Sequence, residues 1–239
     1  MRIRSAALTD IGKVRTENED RFLRDDELRL YAIADGIGGL AGGARAAEEA
    51  ITQLAACAQK QPAEDDWNFQ GIFTEINHHV SQIGRTIDAV YGIGTTLTVA
   101  RLNNLGLHLA HVGDSSCFLW REDSYEKLTL DHTLENEMKV QHGRSATIFL
   151  SPRARNALTR CIGQPEPPAV DLTVRLVKTG DRILLCSDGI TRFSRDKEIA
   201  HLLAAAATPE AALKKIIELA SARGGLDNAT GVLLFVEEV

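Results

Sequence analysis

The sequence predicts an α+β fold in which one antiparallel sheet packs on another and helices lie outside. Seven short runs rich in Val, Ile, Leu and Thr follow one another with tight turns between most of them, which favours antiparallel pairing over β-α alternation. Two consecutive amphipathic helices lie in the first half and a further helical pair near the C-terminus, and such helices need a sheet to cover. The chain has 239 residues, of which 44% are hydrophobic, enough to bury a large core as one domain over 1–239.

The elements follow in order. "LRLYAIA" (28–34) is the first strand-like run. Ala47, Ala50, Ile51, Leu54, Ala55 and Ala58 then repeat at helical spacing, and Phe69, Ile72, Phe73, Ile76, Val80, Ile83, Ile87 and Val90 do the same. "QPAEDD" (61–66) joins these helices as a short loop. "GTTLTVARL", "LGLHLAHV" and "SCFLWR" follow as strands, the first two separated by a turn at Asn103-Asn104. Leu134 to Arg160 has the weakest pattern and predicts an irregular or part-helical excursion. "DLTVRLV" alternates through Leu172, Val174 and Leu176, and Lys178-Thr179-Gly180 turns into "DRILLCS". Thr208 caps a helix with Pro209 at its first position and Leu213, Ile216, Ile217 and Ala220 on one face; Gly224-Gly225 ends it. "TGVLLFV" is the last strand.

The net charge of −6 and the pI near 5.7 disfavour a nucleic-acid binder. Cys57, Cys117, Cys161 and Cys186 form no CxxC pair and read as core thiols of a reducing compartment. The N-terminus has no apolar signal core, and no apolar run reaches the roughly 20 residues of a membrane span. A cytoplasmic, monomeric protein without membrane insertion is expected.

Function is written at the strand ends. "LYAIA" runs into Asp35-Gly36, "LHLAHV" into Gly113-Asp114 and "DRILLCS" into Asp188-Gly189, while Asp227 stands just before the last strand. Each Asp-Gly pair alone is an ordinary turn signal. Four such aspartates, with the acidic "RTENED" (15–20), would repel one another strongly if they converged. A hard divalent cation is the natural compensation, and an oxygen-only ligand set points to Mg²⁺ or Mn²⁺, with Ca²⁺ less favoured because no DxDxDG loop is present. His78-His79 has no metal-binding context and reads as a solvated helix face. Gly36-Ile37-Gly38-Gly39-Leu40-Ala41 fits the dinucleotide pattern G-x-G-x-x-G/A. Against that reading, Asp35 would sit beside a pyrophosphate, a helix leads to a second helix rather than a parallel strand, and the ribose-binding acid is missing.

Together these blocks resemble the metal-dependent serine/threonine protein phosphatases of type 2C (PPM family), in their compact bacterial form. The resemblance covers almost the whole chain and runs in order through "TDIGKVRTENED", "ADGIGGLAGG", "GIGTTLTVA", "HVGDS", "LTLDHTL", "NALTRCIG", "GDRILLCSDGIT" and "GGLDNATGVLL". It implies a four-layer αββα sandwich, two antiparallel sheets flanked by helix pairs, with a variable flap around 134–160. It implies hydrolysis of phosphoserine and phosphothreonine by a water held between two Mn²⁺ or Mg²⁺ ions, opposing a bacterial kinase on phosphorylated protein substrates. Carried onto this chain, Asp35 would bridge both ions. Glu19 and the carbonyl of Gly36 would complete one shell, Asp188 and Asp227 the other. Asp114 with Asp188 matches a third, weaker site, Arg15 the phosphate grip, and Asp20 and Asn228 groups that orient ligands. Arg15, Asp35 and Asp188 are thus the expected catalytic set.

The chain departs from the pattern at Ile37, where some members carry a histidine proposed as general acid; His132 is a tempting substitute or a structural histidine. Ser116 follows "GDS" in place of an arginine, and Ala229 replaces a larger apolar residue. Arg144, Arg153, Arg155 and Arg160 make the excursion basic and suited to acidic phosphopeptides, or simply well solvated. A phosphatase-fold scaffold without turnover is a second reading, opposed by the intact Arg15, Glu19, Asp35, Asp188 and Asp227; a nucleotide-binding oxidoreductase is a third.

Overall fold

The computed structural model describes residues 1–38, 42–62, 67–122 and 124–239. Most of the expected "QPAEDD" linker, and Gly39, Leu40 and Ala41 of the glycine-rich segment, lie outside the described residues. The described residues form two five-stranded sheets in which every pairing is antiparallel. One contains β1 (Arg2–Asp10), β10 (Ala229–Glu238), β9 (Arg182–Cys186), β6 (Ser116–Arg121) and β7 (Ser124–Lys127), in that order. The other contains β2 (Asp20–Asp25), β3 (Leu30–Asp35), β4 (Leu97–Asn103), β5 (Gly106–Val112) and β8 (Asp171–Arg175).

Period-two geometry divides each central strand between two cores. In β3, Tyr31 and Ile33 face the space between the sheets, where they meet Leu102, Leu109, Ile183, Leu185, Val232 and Leu234. Leu30, Ala32 and Ala34 face the other way, against α1 (Gly43–Ala58) and α2 (Phe69–Ile87). The opposite sheet likewise turns Leu184, Leu233 and Phe235 toward α6 (Asp196–Ala205) and α7 (Pro209–Ala222). Strands buried on both faces read as near-continuous apolar runs. Fully burying one such Leu or Ile side chain contributes about 1.5–3 kcal/mol.

The helices form for local reasons as well. Asn68 caps α2 by accepting the Gly71 N–H (3.0 Å), and Thr208 caps α7 by accepting the Ala211 N–H (3.2 Å) ahead of Pro209. α2 ends at Ile87, so Val90 lies beyond the helix and is exposed. α1 leads through α2 back to β4, which pairs antiparallel with β3; that order is incompatible with a dinucleotide-binding β-α-β unit. Among the described residues, no helix is long and apolar enough to cross a membrane.

Three strands escape the sequence pattern, β1, β2 and β7. All are sheet edges, where charged residues are the rule because one side meets water. The fourth edge, β8, corrects the sequence reading in another way. Leu172 and Val174, and Leu176 just beyond, project outward and are 57%, 55% and 76% exposed. The turn at 178–180 also makes no hairpin. β8 and β9 lie in different sheets, so this turn carries the chain across the sandwich. The 134–160 excursion is part-helical, with α3 (Leu134–His142), a 3₁₀ turn (Arg144–Thr147) and α4 (Pro152–Arg155).

Candidate metal-binding active site

Strand ends from both sheets meet in one cleft of about 440 Å³. Asp35 closes β3, Asp114 stands two residues past β5, and Asp188 opens the short α5 (Asp188–Thr191) directly after β9. Asp227 precedes β10, and Glu19 and Asp20 lie at the start of β2. Arg15 reaches in from the β1–β2 loop. Arg15, Glu19, Asp35, Gly36, Asp114, Asp188, Asp227 and Asn228 all line the cleft; Asp20 lies just behind it.

Hydrogen bonds fix these carboxylates before any ligand arrives. The Asp35 N–H donates to Thr96 Oγ1 (2.9 Å), and the Asp35 carbonyl accepts from the Thr96 N–H and the Thr95 hydroxyl (both 2.9 Å). Asp20 pairs in register with Asp35 across β2–β3, and its Oδ2 accepts from the Ser187 hydroxyl (2.8 Å). Asn228 ties the N-terminal loop to β10: its Oδ1 accepts the Glu19 N–H (2.9 Å), and its Nδ2 donates to the carbonyls of Ile11 (2.9 Å) and Glu17 (3.1 Å). Gly36 has a steric cause, since a Cβ there would sit 2.4 Å from the Gly43 carbonyl. Gly189 is tighter still, 1.9 Å from the Asn228 carbonyl oxygen.

The electrostatics demand cations. Burial, then the charges of Asp20, Asp188 and Asp114, hold the Asp35 carboxyl well above the ordinary range. Burial and the neighbouring Asp114 push Asp188 up to about 7. Burial raises Asp20 and Asp114 to about 6 each, the latter against the pull of Arg192. Glu19 is also raised by burial. Carboxyls held this way cannot all ionise near neutral pH without added positive charge. Two arginines supply some of it. Arg15 Nη2 pairs with Asp227 (2.9 Å), and Nη1 lies 3.5 Å from Glu19. Arg192 contacts Asp188 most closely and reaches Asp114 (3.8 Å) and Asp227 (3.7 Å). Among the described residues, no three acidic, imidazole or thiol groups are already gathered as a metal-ligating set. The donors are nevertheless all hard oxygens, which suit Mg²⁺ or Mn²⁺.

Other candidates fall away from the chemistry. Ile37 lines the cleft and offers no proton. His132 is buried, accepts the Gly113 N–H on Nδ1 (3.1 Å) and has Nε2 beside Asp171 (3.2 Å), which is the structural reading. Cys161 reaches the cleft wall, but burial pushes its thiol up to about 11. Cys57, Cys117 and Cys186 are buried free thiols. His78 is exposed as expected, whereas His79 joins Glu49 of α1 (2.7 Å) rather than facing solvent alone. Of the basic excursion, only Arg153 lines the cleft. Arg155 bonds the Leu150 and Thr147 carbonyls, and Arg160 bonds Asp171. Arg192 is the one cleft residue of opposite charge that the sequence reading passed over. Its signal was a cation four residues after Asp188, one helical turn away.

A fold of two antiparallel sheets between helix layers, with carboxylates gathered at one mouth, defines a class of metal-dependent hydrolase. The chain belongs to the protein phosphatase 2C family, whose model matches residues 6–229. It is 34% identical to a putative protein phosphatase 2C-type of Streptococcus pyogenes serotype M6, over 96% of either chain. Among solved structures it is similar to the S. agalactiae serine/threonine phosphatase (32% identity, TM-score 0.85, 99% of this chain and 100% of that one). It is also similar to the catalytic domain of the serine/threonine protein phosphatase PstP in complex with two manganese ions (32% identity, TM-score 0.81, 99% of each chain).

Proposed function

We propose that this chain hydrolyses phosphoserine and phosphothreonine in protein substrates, with two Mn²⁺ or Mg²⁺ ions held by Glu19, Asp35, Asp188, Asp227 and the Gly36 carbonyl. The observation that carries the reading is the meeting of Asp35, Asp188, Asp227 and Arg15, from both sheets, in one cleft. Ions bound there would neutralise phosphate charge and acidify a water for in-line attack. The chain's own residues do the positioning. Arg15 presents a planar, permanently charged fork to the phosphate oxygens once its carboxylate partners are otherwise engaged. Asn228 holds Glu19 and the loop bearing Arg15 in one registration. Asp20 and Ser187 brace β2 against the start of α5, and so fix Asp188.

The flap of this reading is 134–160, with Arg153 as its contact to acidic substrate. A cognate kinase, a cytoplasmic location and a monomeric state complete the proposal. A third, weaker ion between Asp114 and Asp188 is the part that the residues fit least well, because Arg192 lies there.

The test is Mn²⁺-dependent release of phosphate from a phosphothreonine peptide. Activity should vanish in EDTA and fall about 10²–10³-fold in Asp35→Asn, the scale of losing a principal electrostatic group. Arg15→Ala should weaken substrate use about 10- to 10²-fold, the scale of losing a hydrogen bond to a charged group, with little rescue by Arg15→Lys. No turnover by the wild type with either metal would sink the reading.

A further inference from the structure

We infer that Arg192 is the chain's built-in cation at the position between Asp114 and Asp188, so that this phosphatase works with two ions and has no place for a third. The inference rests on the proposed function and narrows it.

The backbone puts Arg192 there. α5 starts at Asp188, and the Arg192 N–H donates to the Asp188 carbonyl (2.8 Å), closing one helical turn. Side chains one turn apart share a face, so the guanidinium is carried over the Asp188 carboxylate. One nitrogen, Nη2, contacts Asp188 Oδ2 and lies 3.8 Å from Asp114 Oδ2. Nη1 lies 3.7 Å from Asp227 Oδ2. The start of α5 is not free to swing away. The Ser187 N–H donates to the Thr230 carbonyl (3.0 Å), and Gly189 is packed against the Asn228 carbonyl so closely that even a methyl group would collide.

Arg15 differs. It comes from the β1–β2 loop and pairs with Glu19 and Asp227, leaving Asp114 to Arg192. Asp114 has no other cation within ion-pair distance among the described residues. A guanidinium stays charged at every accessible pH, so it opposes a second cation at the same spot without being removed by titration. Asp188 still has an oxygen to offer elsewhere, because Arg192 engages Oδ2.

The experiment counts ions rather than turnover. Mn²⁺ is titrated into the full-length protein, and unbound Mn²⁺ is read by electron paramagnetic resonance. Wild type should bind two ions per chain. Arg192→Ala should gain a third, weaker one, which Asp114→Asn removes again in the double variant. Should Arg192→Ala not fold, Asp114→Asn in the wild-type background decides: a count unchanged at two supports the inference, and a loss of one ion overturns it. Three ions in wild type overturn it, and so does a count that stays at two in folded Arg192→Ala, even if KM for the phosphopeptide rises and marks Arg192 as a substrate clamp. No Mn²⁺ bound by wild type would instead sink the metal reading itself, and the inference with it.

Discussion

Replacing Asp188 by asparagine should stabilise the metal-free protein and destabilise the metal-loaded one. Folded Asp188 keeps its proton up to about pH 7, against an ordinary value of 3.8. The folded state therefore binds the proton more tightly than the unfolded chain. The stability this contributes is complete below about pH 4 and is lost as pH rises through about 7. Each pH unit corresponds to about 1.4 kcal/mol, so the two units between pH 5 and 7 are worth about 3 kcal/mol. At about 2–4 °C per kcal/mol for a chain of this size, the melting temperature of the wild type moves by about 6–12 °C relative to the variant. Buried His111 (held down to about 3) and His132 act in the opposite direction below pH 6.5. They are common to both proteins and cancel in the difference. The assay is thermal or urea unfolding of wild type and Asp188→Asn from pH 5 to 8, in EDTA and in Mn²⁺. In EDTA the wild type should fall progressively below the variant; in Mn²⁺ it should stand above it. Parallel curves in EDTA, or a wild type that gains on the variant as pH rises, would refute the reasoning.

Two further outcomes follow from packing and charge. Gly189→Ala would place a methyl 1.9 Å from the Asn228 carbonyl oxygen, so unfolding stability should drop by at least about 1–3 kcal/mol; Mn²⁺ affinity should drop with it because Asp188 must move, and normal melting with normal binding would contradict this. Arg153→Ala should lower kcat/KM several-fold on acidic phosphopeptides and flatten its salt dependence, while Arg155→Ala, whose partners are Glu135 and flap carbonyls, should leave the salt dependence intact. Equal salt slopes in wild type and Arg153→Ala would remove the flap from substrate recognition.

The fold was legible where burial is two-sided. β3, β9 and β10 carry uninterrupted apolar stretches at 30–34, 183–186 and 232–236, and the caps of α2 and α7 rest on residues next to the helices they start. The edge strands β1, β2 and β7 were not legible, because an edge is defined by what fails to pair with it, and that is a property of the sheet. The outward face of β8 misled for the same reason. Leu172 and Val174 alternate as core residues do, but nothing in the described structure covers them.

For the site, the sequence alone determined the chemistry on offer. It placed aspartates at strand ends, a glycine beside three of them, an arginine and a glutamate in one N-terminal stretch, and no thiolate or imidazole set with metal-binding spacing. Those facts are local, since a strand end fixes the side chain that follows it. Only the tertiary structure decided which charges share a cleft. Asp114 comes from one sheet, Asp188 and Asp227 flank strands of the other, and Asn228 reaches back more than 200 residues to hold Glu19. It also decided that Arg192 stands among the carboxylates, while Arg155 turns to the carbonyls of Leu150 and Thr147 and Arg160 to Asp171. Coulomb interaction depends on distance in space and on exclusion of water, and neither is written in the order of residues along the chain.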